Sequence, residues 1–178
     1  MTNSGDPKDY LCALKVNRNQ NARNMIITHL NINSIRYKVG TIHSILNDNL
    51  VDVFAITETK IDASFPDEQF KVSDFSLHRC DRTNRGGGVA VYVRSAIPHC
   101  HSPDIDKYFC EGVEGLTIEC TLNHRKMFII TMYKPPNVPD NMFNDVFRNV
   151  YENVSNESNH IVILGDLNFN MLLKGNKS

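Results

Sequence analysis

The sequence predicts an α/β fold, on three observations. Its first ordered stretch runs strand, helix, strand; its middle is a series of strands divided by turns; and one strongly amphipathic helix leads into a short, wholly apolar strand. A strand–helix–strand order gives parallel neighbours with the helix on one face, whereas strands joined by turns pair antiparallel. Mixed sheets are therefore expected.

The elements follow in order along the chain. Residues 1–24 are rich in Asn, Lys and Arg and hold neither a helical nor a strand period, so they are expected to form a mobile N-terminal arm with at most a short helical piece around Tyr10 to Val16. Met25 to Leu30 is a β-branched run bounded by Asn residues, which reads as a largely buried strand ending at Asn31. From Ser34 the apolar residues Ile35, Val39, Ile42 and Leu46 fall on one helical face, and Val51 to Thr57 is again a strand, with Glu58 at its end. Phe75 to Asp81, Val89 to Val93, Leu116 to Thr121 and Met127 to Tyr133 read as further strands. The glycines of Asn84-Arg85-Gly86-Gly87-Gly88 suit a tight hairpin, and residues Pro98 to Phe109 read as a surface loop. After Pro135-Pro136, which forbid helix locally, Phe143, Val146, Phe147, Val150, Tyr151 and Val154 line one face of a helix. Ile161 to Leu164 reads as a central strand ending in Gly165-Asp166-Leu167-Asn168, with no final strand evident in Phe169 to Ser178.

Composition narrows the function classes. The 178 residues, 41% hydrophobic and 22% charged, suit one globular domain and exclude a disordered tail or a collagen-like repeat. A formal net charge of -1 gives no bulk attraction for nucleic acid, so any DNA contact must come from a local patch. Lys71, Arg79, Arg82, Arg85 and Arg94 against Asp74 and Asp81 give residues 71–94 a local basic excess. That stretch reads equally as a phosphate-contacting surface, with Arg82 and Arg85 as the DNA-binding candidates, or as an ordinary solvated hairpin. Five cysteines without a C-x-x-C pair fit reduced thiols and an intracellular protein, the nucleus included. His99, Cys100, His101 and Cys110 match no usual zinc spacing, so zinc is not expected there. The N-terminus has no signal-peptide pattern, and no stretch approaches the roughly 18 apolar residues of a membrane span, so no membrane partner is expected. The glycine triplet lacks the Lys-Ser/Thr ending of a phosphate-cradling loop, and no small-molecule cofactor is expected.

Three strands end in a residue that handles metals or phosphates: Asn31, Glu58, and the pair Asp166 and Asn168. Sites in α/β sheets lie beyond the carboxyl ends of strands, so these ends are expected to share one crevice. Glu58 and Asp166 offer the oxygen ligands Mg²⁺ prefers, and Asp166 and Asn168 point the same way if strand geometry persists. Tyr133 adds a hydroxyl at the end of another strand. Each of these taken singly is more often a turn former or a helix cap.

Five segments occur together in order: Leu30-Asn31-Ile32-Asn33-Ser34, Ile56-Thr57-Glu58-Thr59-Lys60, Asp81-Arg82 followed by Gly86-Gly87-Gly88-Val89-Ala90-Val91-Tyr92-Val93, Met132-Tyr133-Lys134-Pro135-Pro136, and Leu164-Gly165-Asp166-Leu167-Asn168. The series, over about residues 25–172, resembles the endonuclease/exonuclease/phosphatase superfamily, most closely the apurinic-like endonuclease domains of non-LTR retrotransposons. That resemblance implies a four-layer α/β sandwich of two mixed sheets flanked by helices, over residues 25–178, and Mg²⁺-dependent cleavage of DNA, with Mn²⁺ an alternative ion. It implies Glu58 as the main metal ligand with Asn31 beside it, Asp166 orienting or deprotonating the attacking water, Asn168 positioning water and phosphate, and Tyr133 contacting the scissile phosphate. A metal that neutralises charge on the phosphoryl oxygens and a carboxylate that aligns water are the usual division of labour in such chemistry.

Superfamily members continue past Gly-Asp-x-Asn to another catalytic Asp and a Ser-Asp-His motif, and this chain stops before both. The expectation is a domain lacking its C-terminal section and, as this fragment, inactive, since acid–base groups are typically worth about 10²- to 10⁴-fold each. The alternatives are a catalytically dead remnant that binds DNA or is inert, and a phosphomonoesterase or sphingomyelinase-type relative. A reverse transcriptase domain is a further expected partner if the gene continues.

Overall fold

Alternation along the strands builds two sheets that share one apolar inner layer. A computed structural model describes residues 7–109 and 112–169. In the first sheet β1 (Ile27–Asn31), β2 (Val53–Thr57), β3 (Phe75–Cys80) and β4 (Val89–Arg94) lie in the order β1-β2-β4-β3. The second holds β5 (His99–His101), β6 (Glu114–Leu122), β7 (Arg125–Tyr133) and β8 (Ile161–Asp166) in chain order. β1 and β2 are parallel, as are β7 and β8, and every other pairing within the sheets is antiparallel. Both sheets are thus mixed, as expected.

Val53, Ala55, Val89, Val91 and Val93 of the first sheet meet Leu116, Ile118, Cys120 and Ile129 of the second. The intervening residues point outward and are covered by helices. Phe54, Ile56 and Tyr92 pack with Ile42, Ile45 and Leu46 of α2 (Val39–Asn47), and Phe128, Ile130 and Met132 pack with Phe143, Val146, Val150 and Val154 of α4 (Asp140–Glu157). Helix, sheet, sheet and helix are the four layers of the sandwich. Each large apolar side chain sealed in them contributes about 1.5–3 kcal/mol.

Four expectations change on contact with the structure. The N-terminal segment forms α1 (Pro7–Gln20), longer than the short piece expected. It is docked on few contacts: Leu11 and Leu14 reach the core of the first sheet, and Arg18 and Lys15 pair with Asp52 and Asp48 at 2.8 and 2.9 Å. The second helix starts at Val39 instead of near Ile35, because Asn33 and Ser34 adopt positive φ angles of 45° and 80° and leave Ile35 buried in a turn. The expected loop over Pro98 to Phe109 contains β5 and a short helix, α3 (Pro103–Asp106), anchored by the buried Ile105. Finally, β8 reads as central but pairs only with β7 among the described residues, and its apolar side chains are half-buried. The expectation for residues 170–178 lies outside the described residues, as does Cys110. No described helix is long and apolar enough to cross a membrane.

Asp52 joins three elements at the base of the first sheet. Its Oδ2 accepts from the Ile26 N–H and from Arg18, both at 2.8 Å, and its Oδ1 accepts from Arg94 Nε at 2.9 Å. Burial raises the carboxyl pKa, but the hydrogen bonds from Ile26, Arg18 and Arg94 outweigh it and hold the pKa below its ordinary value of 3.8. A depressed folded pKa stabilises above the ordinary value, and this stabilisation is lost as pH falls through the folded one. Asp52→Ala is expected to cost about 2–3 kcal/mol at neutral pH in urea unfolding. The difference from the native chain should persist down to pH 5 and shrink as the pH drops below about 4.

Candidate active site

Every residue of the site stands where a strand stops. Asn31 is the last residue of β1 and faces Thr57, the last of β2, so Glu58 follows immediately beyond the sheet. In the second sheet Tyr133 and Asp166 end β7 and β8 and are register partners. The two parallel pairs therefore deliver four side chains to one end of the sandwich, two from each sheet.

These side chains are in contact. The Asn31 amide Nδ2 donates to Glu58 Oε1 at 3.1 Å and to Asp166 Oδ2 at 2.6 Å, bridging carboxylates that are 108 residues apart in sequence terms from opposite sheets. Tyr133 donates its hydroxyl to the same Glu58 oxygen at 3.1 Å, and Lys60 Nζ lies 3.2 Å from Glu58 Oε2. Asn33 ties its backbone N–H to Asn31 Oδ1 at 3.1 Å and accepts from Lys60 through its own side chain. Burial pushes the Glu58 pKa up, but hydrogen bonds from Asn31, Lys60 and Tyr133 prevail and leave it below the ordinary value. Glu58 is therefore an anion at neutral pH. Burial first, then the neighbouring Glu58 charge, pushes the Tyr133 hydroxyl up, so it stays protonated and can only donate to that carboxylate.

The turn that carries Glu58 is held by the glycine hairpin. Glu58 and Lys60 take positive φ angles of 56° and 52°, a costly conformation for side chains of their type. The Ser34 N–H binds Glu58 O at 2.8 Å, the Thr59 N–H binds Gly88 O at 3.2 Å and the Lys60 N–H binds Gly87 O at 2.9 Å. Gly88 in turn donates its N–H to Glu114, whose Oε1 accepts from Arg82 at 2.7 Å. Burial raises the Glu114 pKa against the opposing pull of Gly88 and Arg82. Gly88 has φ 90°, and a Cβ there would meet Thr59 Oγ1 at 2.2 Å. At Gly165 a Cβ would meet the Met132 carbonyl oxygen at 1.8 Å, so only glycine lets β8 approach β7 just before Asp166.

Asn168 stands apart from this cluster. Its φ of 46° ends the strand alternation after Asp166, and its Nδ2 donates to the Lys134 carbonyl at 2.8 Å, while the Lys134 N–H donates to Asp166 O at 2.9 Å. The expected common direction of Asp166 and Asn168 therefore does not arise. The basic stretch is also largely neutralised: Arg79 pairs with Asp67 and Asp81, Arg82 with Glu114, and Arg94 with Asp52. Arg85 is exposed and makes no salt bridge among the described residues.

Sequence reasoning passed over Lys60, Asn33 and Lys134, which position Glu58, Asn31 and Asp166. Lys60 and Asn33 share their segments with Glu58 and Asn31, and Lys134 is 2% exposed, an unusual burial for an ammonium group that Asp140 offsets at 3.0 Å. His29 lies two residues before Asn31, with Nε2 3.0 Å from Thr57 Oγ1.

This fold and site define a class. The family model described as "Endonuclease/Exonuclease/phosphatase family" matches residues 28–174, and the chain belongs to that family. Among solved structures it is similar to the endonuclease domain of TRAS1, a telomere-specific non-LTR retrotransposon, at 9% identity and TM-score 0.63, covering 83% of this chain and 60% of that one. It is also similar to the 3′ phosphatase NExo from Neisseria bound to product DNA hairpin, at 22% identity and TM-score 0.58, covering 82% and 58%. A third similar structure is TDP2 of D. rerio with single-strand DNA product, at 11% identity and TM-score 0.60, covering 82% and 61%. These likenesses concern the fold, and the chain spans about three fifths of the length of those domains. No curated protein matches the sequence.

Gly88→Ala is expected to lower stability by about 2–3 kcal/mol, from left-handed strain and displacement of the buried Thr59. Gly40→Ala, in α2 with nothing within 4 Å of the new methyl, should be neutral or stabilise by up to about 1 kcal/mol. Urea unfolding of the two variants checks both values.

Proposed function

We propose that this chain carries the metal-binding part of a phosphodiesterase site that nicks DNA, of the kind that serves non-LTR retrotransposons. The observation that carries the reading is the Asn31 amide set between the carboxylates of Glu58 and Asp166. The carboxylates of Glu58 and Asp166 are oxygen donors, and Mg²⁺ is typically held by one or two carboxylates plus water and substrate phosphate; Asn31 presents its N–H to both carboxylates, so its oxygen would reach an ion only with the amide turned over. No group of three His, Cys, Asp or Glu is drawn together as a metal cage among the described residues. Lys60 beside Glu58 already neutralises part of that carboxylate's charge, and a metal ion would have to displace it from Oε2. Mg²⁺, or Mn²⁺ in its place, would be held by Glu58 with Asn31 beside it, and when bound would offset charge on the phosphoryl oxygens.

The chain's own groups supply the rest. Asp166 aligns the attacking water and takes its proton, Tyr133 turns its O–H from Glu58 to a phosphate oxygen, and Asn168 fixes the turn that presents Asp166. Arg85, exposed beside the glycine hairpin, contacts a DNA phosphate, and Arg82 contributes through its half-exposed guanidinium. The similar structures, a retrotransposon endonuclease and two proteins with product DNA, support DNA as the substrate.

The 178 residues alone are inactive in this reading. Superfamily members draw a further Asp and His from beyond Gly-Asp-x-Asn, and no histidine hydrogen-bonds Glu58, Tyr133 or Asp166 among the described residues. Among the described residues β8 has one strand neighbour, β7, which leaves its other side open to further sheet. A reverse transcriptase domain would follow if the gene continues, with the nucleus as the place of action.

Supercoiled plasmid incubated with the purified chain and Mg²⁺ is expected to stay intact. Nicking that is lost in EDTA and in Glu58→Ala would show that these residues suffice and overturn the inactivity. Nicking that survives Glu58→Ala would overturn the site itself.

A further inference from the structure

The inner layer of the sandwich is largely apolar, with His29 and Thr131 among its exceptions, and it carries further imidazoles along one open edge. At that edge β3 of the first sheet faces β5 of the second, each the outermost strand of its sheet. His78 is the register partner of Val91, and His99 and His101 are the partners of Cys120 and Ile118. Val91, Cys120 and Ile118 belong to the inner layer, and directly opposed residues share a face, so all three imidazoles point inward from two different sheets.

Their geometry is specific. The rings of His78 and His99 lie 5.3 Å apart between centroids, and those of His78 and His101 lie 6.3 Å apart. His78 Nε2 is buried without a hydrogen-bond partner. His99 Nδ1 is 2.6 Å from the Ile97 carbonyl, which can only accept, so its proton sits there and the Nε2 lone pair is free. His101 Nε2 is 2.7 Å from Asp106 Oδ2, whose other oxygen accepts the Thr117 N–H at 2.8 Å, and this leaves His101 Nδ1 as its available donor atom. A carbonyl or carboxylate behind the far nitrogen is the arrangement that orients metal-ligating imidazoles and raises their basicity.

We propose that His78, His99 and His101 bind one divalent transition-metal ion, with Zn²⁺ as its probe, and that the ion clamps the open edges of the two sheets together. The donor set of three imidazoles suits Zn²⁺, Cu²⁺ or Ni²⁺ and is poor for Mg²⁺. Two imidazoles on a tetrahedral Zn²⁺ place their centroids about 5 Å apart, given Zn–N bonds of about 2.0–2.1 Å. The His78–His99 pair already meets that spacing. No three such side chains are yet drawn to one point among the described residues, so His101, 6.3 Å from His78, must change rotamer to join the other two, and its side chain is 40% exposed. Water completes the shell.

The test is a Zn²⁺ titration of the whole 178-residue chain, freed of metal by a chelator, followed by calorimetry and thermal unfolding. A site that Glu58→Gln leaves in place is expected, with Tm raised by about 5–10 °C at a hundredfold excess of free Zn²⁺ over Kd. His101→Asn, on the exposed ring, should weaken binding at least about 100-fold and His78→Gln likewise, and Asp106→Asn about 10- to 100-fold. Absence of a Zn²⁺-dependent rise in the native chain would overturn the proposal. Undiminished binding in His101→Asn, or its loss in Glu58→Gln, would overturn it equally.

Discussion

The structure depends on one amide held between two carboxylates. Glu58 and Asp166 come from different sheets, and bringing like charges together is unfavourable unless something between them donates. Asn31 does so with a single Nδ2, at 3.1 and 2.6 Å, and its own oxygen is steadied by the Asn33 N–H. The contact is possible only because β1 and β8 reach the same end of the sandwich, which in turn requires the parallel pairs β1–β2 and β7–β8 to sit at corresponding places in their sheets. Fold and site are thus one geometric statement: the carboxyl ends of two parallel pairs converge where the inner layer opens.

Keeping that convergence takes local strain. Asn33, Ser34, Glu58, Lys60 and Asn168, all at this end of the molecule, have positive φ angles. Such residues persist only where surrounding contacts over-determine them. Here those contacts are backbone hydrogen bonds that the Thr59 and Lys60 N–H groups donate to the Gly88 and Gly87 carbonyls and that the Ser34 N–H donates to Glu58 O, with the Glu114 carboxylate fastening the hairpin from the second sheet. The glycine run is therefore a brace for Glu58 as well as a turn between β3 and β4. The same arrangement explains why Arg82, beside that hairpin, is half committed to an internal ion pair.

Much of this was legible in the residues. The periods of Ile42 and Leu46 and of Phe143 to Val154 marked the helices because burial on one face leaves a pattern in sequence, and the wholly apolar run Val89 to Val93, buried on both faces, marked a strand. Asn31, Glu58, Tyr133 and Asp166 were legible as strand ends, since a polar residue closing an apolar run is visible without coordinates. What was hidden depended on contacts distant in sequence. The docking of α1 rests on two leucines and Arg18, too few to make a face, and Arg79, Arg82 and Arg94 look like free surface charge until their partners Asp67, Asp81, Glu114 and Asp52 are placed. Asn168 misleads for a local reason, because a left-handed residue breaks the period of two on which its direction was judged. The inward histidines of β3 and β5 were unreadable for a topological one: their meeting follows from which strands end each sheet.

The most direct test of the joint site is Mn²⁺ binding followed by electron paramagnetic resonance, comparing the native chain with Glu58→Gln and with Asp166→Asn. If the two sheets build one cation site around Asn31, the native chain binds a single Mn²⁺ there, and each variant weakens it although the changed residues belong to opposite sheets. Weakening by Glu58→Gln alone, with Asp166→Asn indistinguishable from the native chain, would contradict a shared site.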